Sequence, residues 1–272
     1  MSQTKPAIAP EGIARTDYSA TRVRRTGNDA LLEFPALDKQ PGPLGRRLAA
    51  LPGKGHPVWT YLCGILISFA LIAALSIVLG LLVTRVLLHI HGVAGDDERF
   101  VAFLARHRSG GLTDASLVGS IMAGGVVLPI VAGVAALVSC LAKHWRLAGF
   151  LLLALGVESG SYRTTTLVVH RHRPEVHRLE NLPVNASYPS GHTAAAIAIY
   201  GGIALLLTSR IKDRAAQVAI WVVAALIPVF VALARMYRGM HHPLDVAGGV
   251  VIGIAALSAL VLVTRAAGRA AE

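Results

Sequence analysis

The chain has 272 residues, 54% of them apolar and only 15% charged, with a formal net charge of +11 and two cysteines. That balance is too apolar for an ordinary soluble domain and points to a membrane protein. The basic residues are separated by long apolar runs, which fits orientation in a bilayer and argues against nucleic acid. Cys63 and Cys140 sit inside such runs without CxxC spacing, so neither a disulfide framework nor a redox centre follows.

Residues 1–55 mix Pro, Gly, Asp, Arg and Lys with little periodicity, the composition of a disordered tail. No short apolar core stands near Met1, so a cleaved signal peptide is not expected. Its basic pairs, Arg24-Arg25 and Arg46-Arg47, suit anionic headgroups, although a solvated tail is the simpler reading. Apolar runs of about the twenty residues needed to cross a bilayer follow at 59–84, 117–141, 147–168, 191–208, 215–234 and 244–264. The expected fold is all-α: a polytopic bundle of six transmembrane helices filling residues 56–272. An even count puts both termini on one side of the plasma membrane. The tail, Lys143-His144-Trp145-Arg146, Arg210-Ile211-Lys212-Asp213-Arg214, Arg265 and Arg269 share that side, which the excess of basic residues marks as cytoplasmic.

The remaining loops face outward. In the first of them, residues 95–116, Phe100, Val101, Phe103 and Leu104 recur at helical spacing and predict a short interfacial helix, with Asp96-Asp97-Glu98 as its solvated start. The third run is lopsided: Glu158, Ser159, Ser161, Tyr162, Arg163, Thr164, Thr165 and Thr166 fill its outer half. Polar groups at membrane depth are costly unless they face a cavity or each other, so a wet pocket is expected in the outer leaflet. Gly124-Gly125 and Gly248-Gly249 read as close helix contacts, and Trp59 and Trp145 as interfacial belts.

Three polar clusters fall at helix ends on the outer side. Arg171-His172-Arg173-Pro174 follows the third run, and Tyr188-Pro189-Ser190-Gly191-His192 opens the fourth. Arg235-Met236-Tyr237-Arg238-Gly239-Met240-His241-His242-Pro243-Leu244-Asp245 joins the fifth to the sixth. At the start of the fourth run, unpaired N–H groups and the helix dipole welcome an anion, Gly191 permits close approach and Ser190 adds a hydroxyl. Arg173 and Arg235 can each grip phosphate oxygens bidentately. Asp245, four residues after His241, is spaced to reach back to the imidazole and hold its proton on one nitrogen. The other nitrogen is then left to attack phosphorus while His192 protonates the departing oxygen. His89, His91, His107, His170, His172 and His177 show no consistent ligand spacing, so no metal site is expected, and His242 reads as a structural neighbour.

These clusters resemble the three signatures of the type 2 phosphatidic acid phosphatase superfamily: Lys-x6-Arg-Pro, Pro-Ser-Gly-His and Ser-Arg-x5-His-x3-Asp, in that order. The likeness runs from Thr166 to Asp245. It implies a phosphohistidine on His241, with Asp245 orienting it and His192 as general acid. Arg173, Ser190, Gly191 and Arg235 would bind the phosphate, and neither a metal nor another cofactor would be needed. Two positions depart from the pattern: Thr166 stands where the family has lysine, and Ala234 replaces the serine before Arg235. Arg163, one turn earlier, and Arg171 are the candidates for the missing cation. The expected partner is a lipid phosphate in the bilayer, and no protein partner is legible. A phosphotransferase using the same intermediate and a non-catalytic lipid-phosphate transporter are the alternatives.

Overall fold

The computed structural model describes Leu37 and residues 42–49, 57–141, 145–181 and 186–269, and all regular structure among them is helical. Most of the predicted tail lies outside the described residues; within it, α1 (Pro43–Ala49) is a short helix that packs against the C-terminal helix. Then come α2 (Pro57–Arg85), a 3-10 turn (Leu87–His89), α3 (Val93–Arg106), α4 (Gly110–Met122), α5 (Val127–Leu141), α6 (Trp145–Val168), α7 (Gly191–Thr208), α8 (Arg214–Tyr237) and α9 (Pro243–Arg269).

Helix α7 is the centre. It packs against α6, α8 and α9, while α2 lies against α6 and α9, α5 against α6, and α4 against α8. Its sequence explains the position. Ala194, Ala195, Ala196, Ala198, Gly201, Gly202 and Ala204 are small and buried, so neighbouring helices approach the backbone closely where no hydrophobic effect draws them together. A Cβ on Gly253 of α9 would lie 2.7 Å from the Ala194 carbonyl oxygen, and one on Gly202 would lie 3.0 Å from the Phe150 ring. By contrast, large side chains such as Leu66, Leu71 and Val78 on α2, and Val222 and Leu226 on α8, are exposed, as lipid-facing surfaces should be.

This is a multi-pass membrane protein. Among the described residues α2, α7, α8 and α9 are long and apolar enough to cross a bilayer, and α4 with α5 makes a fifth span if that bent pair is taken together. The predicted span 117–141 is therefore broken: α4 and α5 meet at 41°, with Gly124-Gly125 at the break. These glycines do not mediate a helix contact. A Cβ on Gly125 would meet nothing within 4 Å, and one on Gly124 would meet only the turn preceding it. Helix α6 has the length, 24 residues, but its polar C-terminal half keeps it out of that apolar class. Glu158, Ser161 and Thr165 in that half are buried, with Thr165 donating to the Ser76 hydroxyl of α2 at 2.8 Å.

The loop at residues 95–116 also differs from expectation. It holds α3 and the start of α4 in place of one short helix, and the acidic triplet is divided. Asp96 is exposed and pairs with Arg99, whereas Asp97 is buried and Glu98 turns toward His242 at the start of α9.

Candidate active site

Two helix ends and one long connection build the site. Helix α8 finishes in a Schellman turn, in which Gly239 N–H bonds to Met236 O and Met240 N–H to Arg235 O, both at 3.0 Å. Gly239 takes φ 73°, and a Cβ there would meet Val176 at 2.7 Å, so this position requires glycine twice over. The turn leaves Arg235 in the last turn of α8, fully buried, and sends His241 back toward the bundle. Helix α9 then starts with His242 as its N-cap and Pro243 in its first turn. Asp245 reaches back to the His242 N–H at 2.7 Å, the reciprocal half of a capping box.

That capping geometry changes the expected role of Asp245. Its carboxylate lies 3.9 Å from His241 Nδ1, too far for a hydrogen bond, because its oxygens are taken by four other donors. These are the Arg171 guanidinium, the Ser187 hydroxyl, and the backbone N–H and ring Nδ1 of His242. His241 Nδ1 bonds instead to the Ser187 carbonyl at 2.7 Å. A carbonyl only accepts, so Nδ1 carries the proton and Nε2 of the neutral ring keeps its lone pair. Burial pushes the basicity of His241 well down. The nearby charges of Arg235, Arg173 and His192 act in the same direction, against the opposing pull of Asp245. His241, His192, Arg173 and Arg235 therefore sense one another electrostatically, although they come from separate clusters of the sequence.

The phosphate-binding candidates divide by their surroundings. Arg235 directs Nη1 to Glu180 at 2.6 Å and to the Ser120 hydroxyl. Among the described residues its Nε and Nη2 have no partner although both are buried. That leaves one edge of a rigid guanidinium fork for an anion. Arg173 is buried and donates to the Met240 carbonyl at 2.5 Å. Ser190 caps α7 with extended backbone angles, but its hydroxyl bonds to Thr193 Oγ1 at 2.9 Å and not to a backbone N–H. The first N–H groups of α7 thus keep the open character of a helix start. Gly191 is hemmed in, since a Cβ there would lie 3.3 Å from the Tyr162 ring and 3.5 Å from the Glu158 carboxyl.

Neither substitute for the missing lysine is available in the way expected. Arg171 is buried between Asp97 and Asp245, its charge spent on two carboxylates. Arg163 is exposed on α6, and no described contact ties it to the cluster. Thr166 bonds to the backbone of its own helix at Arg163 O.

Other residues of the site were not legible. Glu180, an isolated acid in the connection between α6 and α7, bridges Arg235 and Arg238. Burial raises the affinity of Glu180 for its proton, but the Arg235 charge and the bonds from Ser120, Arg235 and Arg238 outweigh that and hold it down at about 2. Ser187, which meets both His241 and Asp245, belongs to no motif. Tyr188 is fully buried against α9, where a Cβ on Gly248 would come within 2.5 Å of its ring. On the next residue, a Cβ on Gly249 would come equally close to the Ser190 carbonyl. The glycine pair of α9 is thus a close contact, as its sequence suggests.

Known proteins align with this arrangement. The PAP2 superfamily model matches residues 143–269. An undecaprenyl-diphosphatase of Sulfolobus acidocaldarius is 40% identical over 75 residues, 28% of this chain and 32% of that protein. Phosphatidylglycerophosphatase B of Bacillus subtilis is 27% identical over 129 residues, 47% of this chain and 63% of its own length. The chain thus spans less than two thirds of either relative. The crystal structure of a transmembrane PAP2-type phosphatidylglycerolphosphate phosphatase from Bacillus subtilis superposes with a TM-score of 0.58 at 22% identity, covering 75% of this chain and 94% of that one. That likeness concerns the fold, while the family match takes in all three polar clusters. Residues 143–269 of this membrane protein, a little under half of the chain, are accordingly similar to the PAP2 superfamily.

Proposed function

We propose that the chain is a membrane lipid phosphatase that hydrolyses a phosphomonoester or diphosphate of a lipid through a phosphohistidine on His241. The observation that carries the reading is the His241 ring: buried, proton held on Nδ1 by the Ser187 carbonyl, and within the electrostatic reach of Arg235, Arg173 and His192. In the first step the Nε2 lone pair forms a bond to phosphorus, the bond from phosphorus to the leaving oxygen breaks, and His192 gives that oxygen a proton. In the second, a water oxygen attacks phosphorus, the P–N bond breaks and His192 takes the water proton. The open edge of Arg235, with Arg173 and the α7 start at Ser190 and Gly191, would hold the phosphoryl oxygens as charge shifts onto them. Asp245 contributes by fixing Ser187 and the His242 backbone, and so supports the nucleophile indirectly. No metal takes part in this scheme. We place the site on the outer face of a six-span bundle in the plasma membrane, with both termini cytoplasmic and α6 as the additional span.

The local match to an undecaprenyl-diphosphatase supports trying a polyprenyl diphosphate first, with phosphatidylglycerol phosphate and phosphatidic acid beside it. The test is phosphate release by the purified protein over that panel, with EDTA present. Release that persists in EDTA and disappears in His241→Ala and His192→Ala supports the reading. Loss on chelation, or unchanged release in His241→Ala, refutes it. Transfer of the phosphoryl group to an added alcohol in preference to water would reassign the protein as a phosphotransferase, and binding without turnover would reassign it as a carrier.

A further inference from the structure

Helix α3 contributes a carboxylate that no cluster of the sequence anticipates. Glu98 Oε2 faces His242 Nε2 at 2.9 Å across 144 residues of chain, and its Oε1 accepts the Glu175 N–H at 2.9 Å. The other ring nitrogen of His242 faces Asp245 Oδ2 at 3.3 Å. An ionised carboxylate has no proton to give, so with one on each side both nitrogens of this imidazole donate, and the ring carries a charge. The groups facing it are Glu98 from α3, Asp245 from α9 and the Arg171 guanidinium from the α6–α7 connection. Burial opposes the charge, but the bond to Asp245, its field and the bond to Glu98 outweigh burial and the Arg171 repulsion, so His242 is more basic than an ordinary imidazole.

The contacts continue inward from there. Asp245 accepts the Ser187 hydroxyl, and the Ser187 carbonyl accepts the His241 Nδ1–H. One unbroken chain of polar contacts therefore runs Glu98, His242, Asp245, Ser187, His241. Its neighbour Asp97 secures the same helix end by accepting the Leu244 N–H at 3.0 Å.

We infer that Glu98 is a positioning residue for the reaction: through a doubly protonated His242 it holds Asp245 and Ser187, and hence the attacking ring of His241, in working alignment. The inference rests on the phosphatase reading of His241. When His242 loses its second proton, one of its two carboxylate contacts is lost and the alignment relaxes. Misplacement of an attacking group by even a fraction of an ångström lowers the rate of the chemical step and leaves binding largely intact.

The test uses the full chain, purified in detergent, with a polyprenyl diphosphate as substrate and His241→Ala as the blank. Values of kcat and KM are measured from about pH 6 to 10 for wild type, Glu98→Gln and His242→Asn. Glu98→Gln should lower kcat about tenfold with KM changed less than about twofold. It should also move the alkaline limb of kcat down by about one pH unit, because a carboxylate beside the imidazolium has lost its charge. His242→Asn has nothing to titrate at this position and should lose that limb altogether, and it decides alone if Glu98→Gln does not fold. An alkaline limb that coincides in all three proteins would be set by His192 alone and would overturn the inference, as would a rise in KM with kcat unchanged. Wild type that releases no more phosphate than the blank would remove the proposed function itself, and the inference with it. A positive wild type with coincident limbs would remove only the inference.

Discussion

Replacing Arg171 by glutamine separates two roles that the sequence leaves open, phosphate ligand and structural cation. The side chain is 6% exposed and donates to Asp97 and Asp245, which are 4% and 0% exposed. Glutamine is close in volume but uncharged, so two buried carboxylates would lose the cation they share. Each keeps other donors: the Leu244 N–H for Asp97, and Ser187 and His242 for Asp245. The loss should therefore resemble one broken buried pair, about 3–5 kcal/mol, rather than two. For a chain of this size each kcal/mol moves the melting temperature by about 2–4 °C, so the midpoint should fall by about 6–20 °C. The assay is thermal unfolding of the purified protein in detergent, alongside KM for the lipid substrate. Adding Asp97→Asn to Arg171→Gln should cost less than the two separate changes summed, since the second removes a charge that the first left unpaired. A melting temperature within about 2 °C of wild type, combined with a raised KM, would refute the structural assignment and return Arg171 to the phosphate site.

Arg235→Lys should keep the positive charge but lose the free Nε and Nη2 edge. Two charge-assisted hydrogen bonds at about 1.5–3 kcal/mol each predict a fall in kcat/KM of about 10²- to 10⁴-fold, and a change under about threefold would exclude Arg235 from phosphate binding. Gly249→Ala should bring a methyl group to 2.5 Å from the Ser190 carbonyl oxygen and displace the start of α7; overpacking of this kind costs about 1–3 kcal/mol, read as a lower melting temperature together with reduced turnover. A melting temperature and rate equal to wild type would show that the α7–α9 contact yields freely. Because burial and neighbouring cations lower the basicity of His241, protonation silences it only below the ordinary imidazole range near pH 6.5. The acid limb of kcat/KM should therefore lie below that range, and a limb at or above it would contradict the buried, neutral nucleophile.

The helical, membrane-spanning character of the protein was legible in its sequence because bilayer thickness imposes a length on apolar runs that needs no tertiary information. The run at 191–208 emerges as α7 with the same bounds, and Gly248-Gly249 marks a close contact, whereas Gly124-Gly125, read the same way, marks a break. The three polar clusters were legible as clusters for a related reason: each stands where an apolar run begins or ends.

What only the tertiary structure decided is where each side chain spends its hydrogen bonds. Asp245 has the spacing to meet His241 but caps its own helix instead, and the proton of His241 is held by a backbone carbonyl, which no pattern of side chains records. Asp97 and Glu98 read as solvated acids and Glu180 belonged to no cluster, yet each is drawn to a cation or N–H more than fifty residues away. Local periodicity fixes which face of an element is apolar, whereas the partner of a charge depends on which elements the fold brings together. That convergence is a property of the whole packed chain.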